Sequence, residues 1–391
     1  MEKVKKSLFW IFALSSAVYF GQGIEGLPGQ AFFYYLKETL KYNESRIMFI
    51  SSLITVAWLI KPIIGYLVDS LKLSKRFWII SSLITSCIIS IYLGISPLLS
   101  MPVIITLLTI ANWNAAVRDV TVDGVMCIEG KKNKLTGKIQ SVQWFAITVA
   151  SLLCGVGGGW LAEKFNYQTC YLLLVPFYAL LIFIASKYQE SKSKKKSKES
   201  FWQIMKQLFM DKRLMLVCLI IFLYKFSPSF GTPLMFIERD IFHWSKVWIG
   251  TLATISAVMS MIGAGLYYHF SRSINVRKWL VISVFIGAIT TSCYLYFTPT
   301  TDVIYTIVGS VIGMFIQLLS LDFMARNTQK GMEATSFALL CSVSNLAGTC
   351  NGFVGGWLFP IVGLNWLIII SAVTSFVCLP ILLKFKFEER K

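Results

Sequence analysis

The sequence predicts an all-α integral membrane protein: twelve transmembrane helices in two pseudo-symmetric six-helix bundles. Three observations carry this expectation. The 391 residues are 56% hydrophobic and only 14% charged, with a mean hydropathy of +0.67, far from an ordinary soluble domain. Apolar segments long enough to cross ~30 Å of hydrocarbon recur along the whole chain. The second half of the sequence also repeats features of the first.

The apolar segments run at roughly 8–36, 46–68, 77–96, 102–127, 139–162, 169–186, 214–237, 246–270, 278–297, 303–325, 333–359 and 364–383. Lys3, Lys5 and Lys6 before the first resemble the basic start of a signal peptide, but the apolar run continues too far and no small-residue cleavage site follows, so it reads as a retained helix. The net charge of +18 sorts by loop rather than forming a nucleic-acid surface. With the N-terminus inside, only Lys37, Lys41, Arg46, Lys164, Arg239 and Lys246 fall outside. Lys61, Arg118 and Lys225 lie within the membrane, and all other Lys and Arg fall on the cytoplasmic side. The expectation is a multi-pass protein of the cell inner membrane with both termini cytoplasmic.

The run from Glu190 to Ser200 is too charged for a core. Residues 187–213 therefore read as a cytoplasmic linker, its lysines at anionic lipid headgroups. It joins an N-terminal bundle, 1–186, to a C-terminal one, 214–391. Four pairs carry the repeat: Ser45-Arg46 with Gly65 against Ser245-Lys246 with Gly265, Gly26-x-Pro28 against Gly231-x-Pro233, Asp123 against Asp322, and Gly-Gly-Trp at 158–160 against 355–357. Parallel repeats of this kind place a substrate site near mid-membrane at the interface of the halves, worked by rocking.

Charge inside the apolar segments supplies the candidate residues, because an ionisable side chain at that depth costs at least ~2.5 kcal/mol and faces a partner or a watery path. Ala111 to Gly124 holds three such charges. At helical spacing Asn112, Ala115, Asp119 and Asp123 share one face, and Asn114 and Arg118 a neighbouring one. Arg118 and Asp119 are adjacent and point apart, so their partners come from other helices. The expectation is that Lys61 and Arg118 neutralise Asp119 and Asp123. For Lys61 the alternative is a stem that snorkels to the headgroups. Glu25, in the glycine-rich Gly21 to Gly29, either lines a cavity or makes a structural hydrogen bond. Lys225 lies too deep in its segment to snorkel. The glycines at 155–159 read as close helix packing. His243 and His269 read as helix-end residues.

Other chemistries are excluded or lack support. Gly21-Gln-Gly-Ile-Glu-Gly26 fits G-x-G-x-x-G, but no strand precedes it and no βαβ unit follows. The nine cysteines have no paired short spacing, so neither a disulfide framework nor a zinc site is expected. No P-loop pattern occurs, and no catalytic triad, metal or cofactor is expected. The chain does not read as an enzyme.

Trp58-Leu-Ile-Lys61-Pro62 continuing to Gly65 and Asp69, then Asp119-Val-Thr-Val-Asp123, then Gly137, Gln140, Ser141 and Trp144 resemble motifs of the folate-biopterin transporter family of the major facilitator superfamily. The stretch from Ser227 to Tyr268 is also similar. Departures are Gly124 where alanine or serine is expected, lysines in place of arginines in the cytoplasmic stretches, and short loops. The resemblance implies the major facilitator fold and a secondary active transporter for a small anionic heterocycle such as a folate or pterin, working as a symporter with protons. The alternative is a permease for a muropeptide or a drug-like solute.

The candidate substrate-binding set is Gln22, Glu25, Trp113, Asn114, Arg118, Gln143, Trp144, Lys225 and Gln317. The candidate proton-coupling or structural ion network is Glu25, Lys61, Asp119, Asp123 and Asp322. Glu25 would take the proton, Lys225 and Arg118 would bind a carboxylate, and Trp113 or Trp144 would offer a stacking face. A standing alternative pairs Glu25 with Lys225 to hold two helices together. Membrane lipid and a small-molecule substrate are the expected partners, nucleic acid is not, and the protein is expected to be a monomer.

Overall fold

The computed structural model of the chain describes residues 2–42, 50–51, 53–71, 73–96, 99–188, 190, 201–244 and 246–385. Lys72, Ser45-Arg46, Ser245, the linker run 191–200 and the C-terminal Lys386 to Lys391 lie outside the described residues. Among the described residues the regular structure is helical throughout. Eight of these helices are long and apolar enough to cross a membrane, and the last, Glu333–Lys384, takes in both the eleventh and the twelfth expected segments.

Residues Met1–Met205 together with Thr328–Leu339 form one compact unit, and Lys206–Asn327 with Leu340–Lys391 a second. In the first unit, α1 (Glu2–Ile24) and α2 (Gly29–Tyr34) are the two parts of one interrupted segment, and a π-helical turn, Tyr35–Thr39, follows. Pro28 has no N–H to donate, and a tight turn replaces helix there, with Gly26 N–H bonding Gly23 O at 3.1 Å and Gly29 N–H bonding Gly26 O at 2.9 Å. Next come a 3₁₀ turn, Val56–Ile60, and α3 (Lys61–Ser70), with Pro62 in its first turn where a missing donor is harmless. α4 (Lys75–Ile95) is capped by the Ser74 hydroxyl, which accepts from Phe77 N–H at 3.0 Å. α5 (Met101–Asn133) is 33 residues long and buried almost continuously from Asn114 to Gly130. α6 (Thr136–Lys164), α7 (Tyr167–Leu172) and α8 (Val175–Lys187) complete the unit's long elements, and α9 (Phe201–Met210) follows.

The glycine expectation is met at Gly158, where a Cβ would lie 3.4 Å from Leu27 O, and corrected at Gly155 and Gly157, where a Cβ would meet nothing within 4 Å. The tighter approach is on α1, where a Cβ on Gly23 would lie 2.6 Å from Ala150 Cβ and 2.9 Å from Ile147 O. Small residues thus bring α1 against α6 from the α1 side. A separate apolar cluster of Ala57, Ile64, Val68, Ala116, Val117, Val120, Ala334 and Ala338 fixes α3 against α5. Asp69 at the end of α3 accepts from the N–H and the hydroxyl of Thr335, both at 2.8 Å.

The second unit repeats the interruption. α10 (Lys212–Lys225), begun by Asp211 as N-cap, stops before Pro228; α11 (Gly231–Phe236) resumes, and the π-helical turn Ile237–Ile241 follows. Both units therefore run from a broken helix through a six-residue helix into a five-residue π turn. This confirms the internal likeness but corrects one match, because Gly29 rather than Gly26 occupies the position of Gly231. α12 (Lys246–Phe270), α13 (Val276–Cys293), α14 (Pro299–Arg326) and α15 (Glu333–Thr374) follow, and α16 (Leu379–Lys384) is the last helix among the described residues. α15 is broken at Gly363, whose φ of +73° suits glycine. His243 and His269 lie at helix ends, as expected.

Candidate functional site

α5 carries the buried charges of the first unit, and each turns to a different neighbour. Arg118, 2% exposed, directs Nη2 to Glu25 Oε1 in the turn after α1. Its Nη1 donates to Ser86 Oγ at 3.0 Å and to Ser82 O at 3.4 Å, both on α4. Tyr178 on α8 donates its hydroxyl to the same Glu25 oxygen at 2.9 Å. A guanidinium suits this position because its fixed fork serves several acceptors at once. Three helices and the turn after α1 are tied together by one ion pair and its hydrogen bonds.

One residue along, Asp119 faces α3. Lys61 Nζ lies 2.7 Å from Asp119 Oδ2 and 4.6 Å from the centre of the Trp58 ring. Lys61 thus pairs inward rather than snorkelling. Trp58 Nε1 in turn donates to Asn112 Oδ1 at 3.2 Å, one face of α5 serving the whole contact.

Asp123, 5% exposed, accepts from Tyr19 Oη at 2.8 Å and from Gln143 Nε2 at 3.4 Å. No Lys or Arg among the described residues pairs with it. This corrects the expected pairing of Arg118 with the α5 aspartates: Lys61 neutralises Asp119 as expected, but Arg118 belongs to Glu25. The alternative pairing of Glu25 with Lys225 is corrected as well, since Glu25's partners are Arg118 and Tyr178. Arg118 is buried and engaged, so its expected role as a carboxylate receptor does not fit its position.

The neutral candidates fall into two groups. Gln22 Oε1, Asn114 Nδ2 and Gln143 Oε1 are buried atoms with no hydrogen-bond partner. Such atoms are costly unless something supplies the missing bond. Trp113 packs against the α3–α5 apolar cluster, which leaves it less available for stacking than expected. Trp144 on α6 is partly buried, and its ring has no aromatic partner among the described residues.

In the second unit Lys225 ends α10, and its Nζ donates to Gln317 Oε1 at 2.6 Å. No acidic group among the described residues pairs with it. The chain after it is anchored by Asn351, which donates to Lys225 O and accepts from Ser227 N–H, both at 2.9 Å. Ser229 N–H bonds Asn351 O at 2.9 Å, and a Cβ on Gly355 would lie 2.0 Å from Ser229 O. A cavity of about 470 Å³ opens beside this segment, lined by Ser227, Ser229, Asn351, Ser371, Thr291 and Tyr294 among others. Asp322, expected as the counterpart of Asp123, instead pairs with Arg326 one turn away on α14 and accepts from Tyr267 Oη at 2.9 Å.

A family model described as the BT1 family matches residues 22–386. The chain belongs to the BT1 family. The match bears out the resemblance noted on the motifs around Lys61, Asp119 and Trp144. This BT1 chain is 25% identical to the "Folate-biopterin transporter" of Synechocystis sp., over 95% of the chain and 81% of the relative. It is 22% identical to the "Probable folate-biopterin transporter 4" of Arabidopsis thaliana, over 92% and 89%. It is 23% identical to "Folate transporter 2" of Plasmodium falciparum, over 88% and 79%. Among solved structures it superposes on the major facilitator superfamily transporter FucP with a TM-score of 0.75 at 13% identity, over 95% and 97% of the two chains. On the human organic anion transporter MFSD10 the TM-score is 0.66 at 12% identity, over 97% and 99%. The BT1 chain has the major facilitator fold.

Three residues of this site were missed in the sequence of the BT1 protein. Tyr19 and Tyr178 gave no signal, because tyrosine is common in membrane helices. Asn351 did give one: a strongly polar amide inside an apolar segment.

Proposed function

We propose that this protein is a secondary transporter that moves a small anionic heterocycle, of the folate or pterin class, by alternating access coupled to protons. The observation that carries the proposal is the charge left over after pairing. Lys61 with Asp119 and Arg118 with Glu25 cancel, while the hydrogen bonds of Asp123 in the first unit and of Lys225 in the second go to neutral groups. The names of the relatives from Synechocystis sp., Arabidopsis thaliana and Plasmodium falciparum support the substrate class.

Lys225 is the cation to take the solute's carboxylate, with Gln317 holding its ammonium in place. Within the first unit, taken by itself, Gln22, Asn114 and Gln143 hold unused amide atoms of the kind that bonds the polar edge of a heterocycle. The proton role passes from Glu25 to Asp123. Neutralising Glu25 would strand Arg118, and neutralising Asp119 would strand Lys61, each leaving a buried charge that costs several kcal/mol. Neutralising Asp123 strands no ion.

The test is uptake into proteoliposomes of labelled folate and of a pterin, with and without an inward proton gradient. Accumulation of either under the gradient, abolished by a protonophore, is the expected result. Absence of uptake of both, by protein that folds and binds neither in a thermal-shift assay, would sink the substrate assignment.

A further inference from the structure

A second acidic site lies in the second unit, on two carboxyl groups not used above. Glu238 sits on the π turn Ile237–Ile241 that follows α11, just past the end of the seventh apolar segment. It shares a side-chain hydrogen bond with Asp302, in the first turn of α14. Asp302 is 5% exposed, and its Oδ2 is buried with no donor. Among the described residues neither carboxyl has a Lys or Arg partner. Two carboxyl groups can hydrogen-bond to one another only if one of them keeps its proton. Glu238 faces a cavity of about 440 Å³ whose other polar lining is hydroxyls, including Ser256, Thr290, Tyr294, Tyr305 and Ser310. Ser256 and Ser310 bond each other at 2.7 Å, and Tyr305 Oη donates to Cys293 O at 2.9 Å.

We propose that Glu238 and Asp302 form a one-proton site: Glu238 as the acid donates to the Asp302 carboxylate, and the site empties when that proton passes to water in the adjoining cavity. The balance is simple. One O–H bond on Glu238 breaks, one forms on water, and two carboxylates are left facing each other with no cation. Pi turns of this kind are frequent at functional sites. Burial, and then the Asp302 charge beside it, push the Glu238 carboxyl above the usual carboxylate range. The titratable groups facing the pair from the neighbouring elements are the phenols Tyr294 and Tyr305.

The linkage has a definite sign. A group whose folded-state value is raised binds more protons in the folded than in the unfolded chain, so it stabilises at low pH and that stability is lost as pH rises through the folded value. Infrared difference spectra of substrate-free protein, titrated upward from the ~4.3 of a free glutamate, should show a carboxylic-acid C=O band that is lost in Glu238→Gln and weakened in Asp302→Asn. The melting temperature of the parent should fall more steeply with rising pH than that of either variant. The inference is overturned if both variants keep the full band and the parent's pH profile. It is also overturned if sodium ions remove the band and raise the melting temperature of the parent alone, since the pair would then hold a metal cation. Should one variant fail to fold, the other makes the same comparison. Neither readout involves a transported solute, so failure here leaves the proposed transport standing.

Discussion

Lys61 Nζ lies 2.7 Å from Asp119 Oδ2, joining the first residue of α3 to the middle of α5. Both groups are buried from water, so the pair behaves asymmetrically: losing one partner leaves a bare charge, whereas losing both leaves none. Asp119→Asn alone should lower stability by ~3–5 kcal/mol. Lys61→Met added to it should recover part of that loss. Thermal unfolding of detergent-purified protein checks both, and a double variant no better than Asp119→Asn would break the argument.

Arg118 serves Glu25, Ser86 and Ser82 together. A lysine there is a single point donor and cannot reach three acceptors spread over a helix and a turn. Arg118→Lys should therefore cost nearly as much stability as Arg118→Met. Tyr178→Phe removes the hydrogen bond to Glu25 and one with Ser90, the charged one alone being worth ~1.5–3 kcal/mol. An Arg118→Lys protein that melts with the parent would contradict this.

Lys225 has a neutral partner, Gln317, so Lys225→Met strands no charge and should leave the fold intact. If it receives the solute's carboxylate, the variant should bind an anionic folate at least ~10-fold more weakly, about 1.4 kcal/mol. A neutral pterin lacking the carboxylate should be affected less. Equal weakening for both ligands would place the carboxylate elsewhere.

Asp123 should separate coupling from binding. In Asp123→Asn the amide oxygen can still accept from Tyr19 and Gln143, so the protein should fold and should exchange labelled for unlabelled solute across a membrane. Accumulation driven by a pH gradient should be lost. Glu25→Gln, which breaks the Arg118 pair, should instead lower stability and both activities together. A fully accumulating Asp123→Asn protein would remove the proton role from this residue.

How far the sequence could carry these conclusions is visible in particular residues. Segments 8–36 and 214–237 read as unbroken in the sequence, although Pro28 and Pro228, which cannot donate within a helix, stand where both break. The Lys61 pairing with Asp119 was legible, since a buried lysine and a buried carboxylate need each other. Arg118 went to the wrong partner because helical spacing fixes which way a side chain points but not which helix stands opposite. Gly155 and Gly157 misled for a related reason, as composition cannot say which of two facing helices supplies the small residues. Asp322 echoed Asp123 in position while Arg326, one turn on, gave it a different electrostatic setting. The pairing of Glu238 with Asp302 could not be read at all, depending as it does on the π turn that aims Glu238.

Ser229 and Gly355 are fitted so closely that no side-chain atom separates the two strands of backbone, and Asn351 stitches the same place. Segments joined in this way have no lubricating layer to slide on. The cavity beside them therefore has one wall of directly apposed backbone, with Thr291 and Tyr294 also in its lining, and a glycine rather than any occupant sets how near that wall can stand.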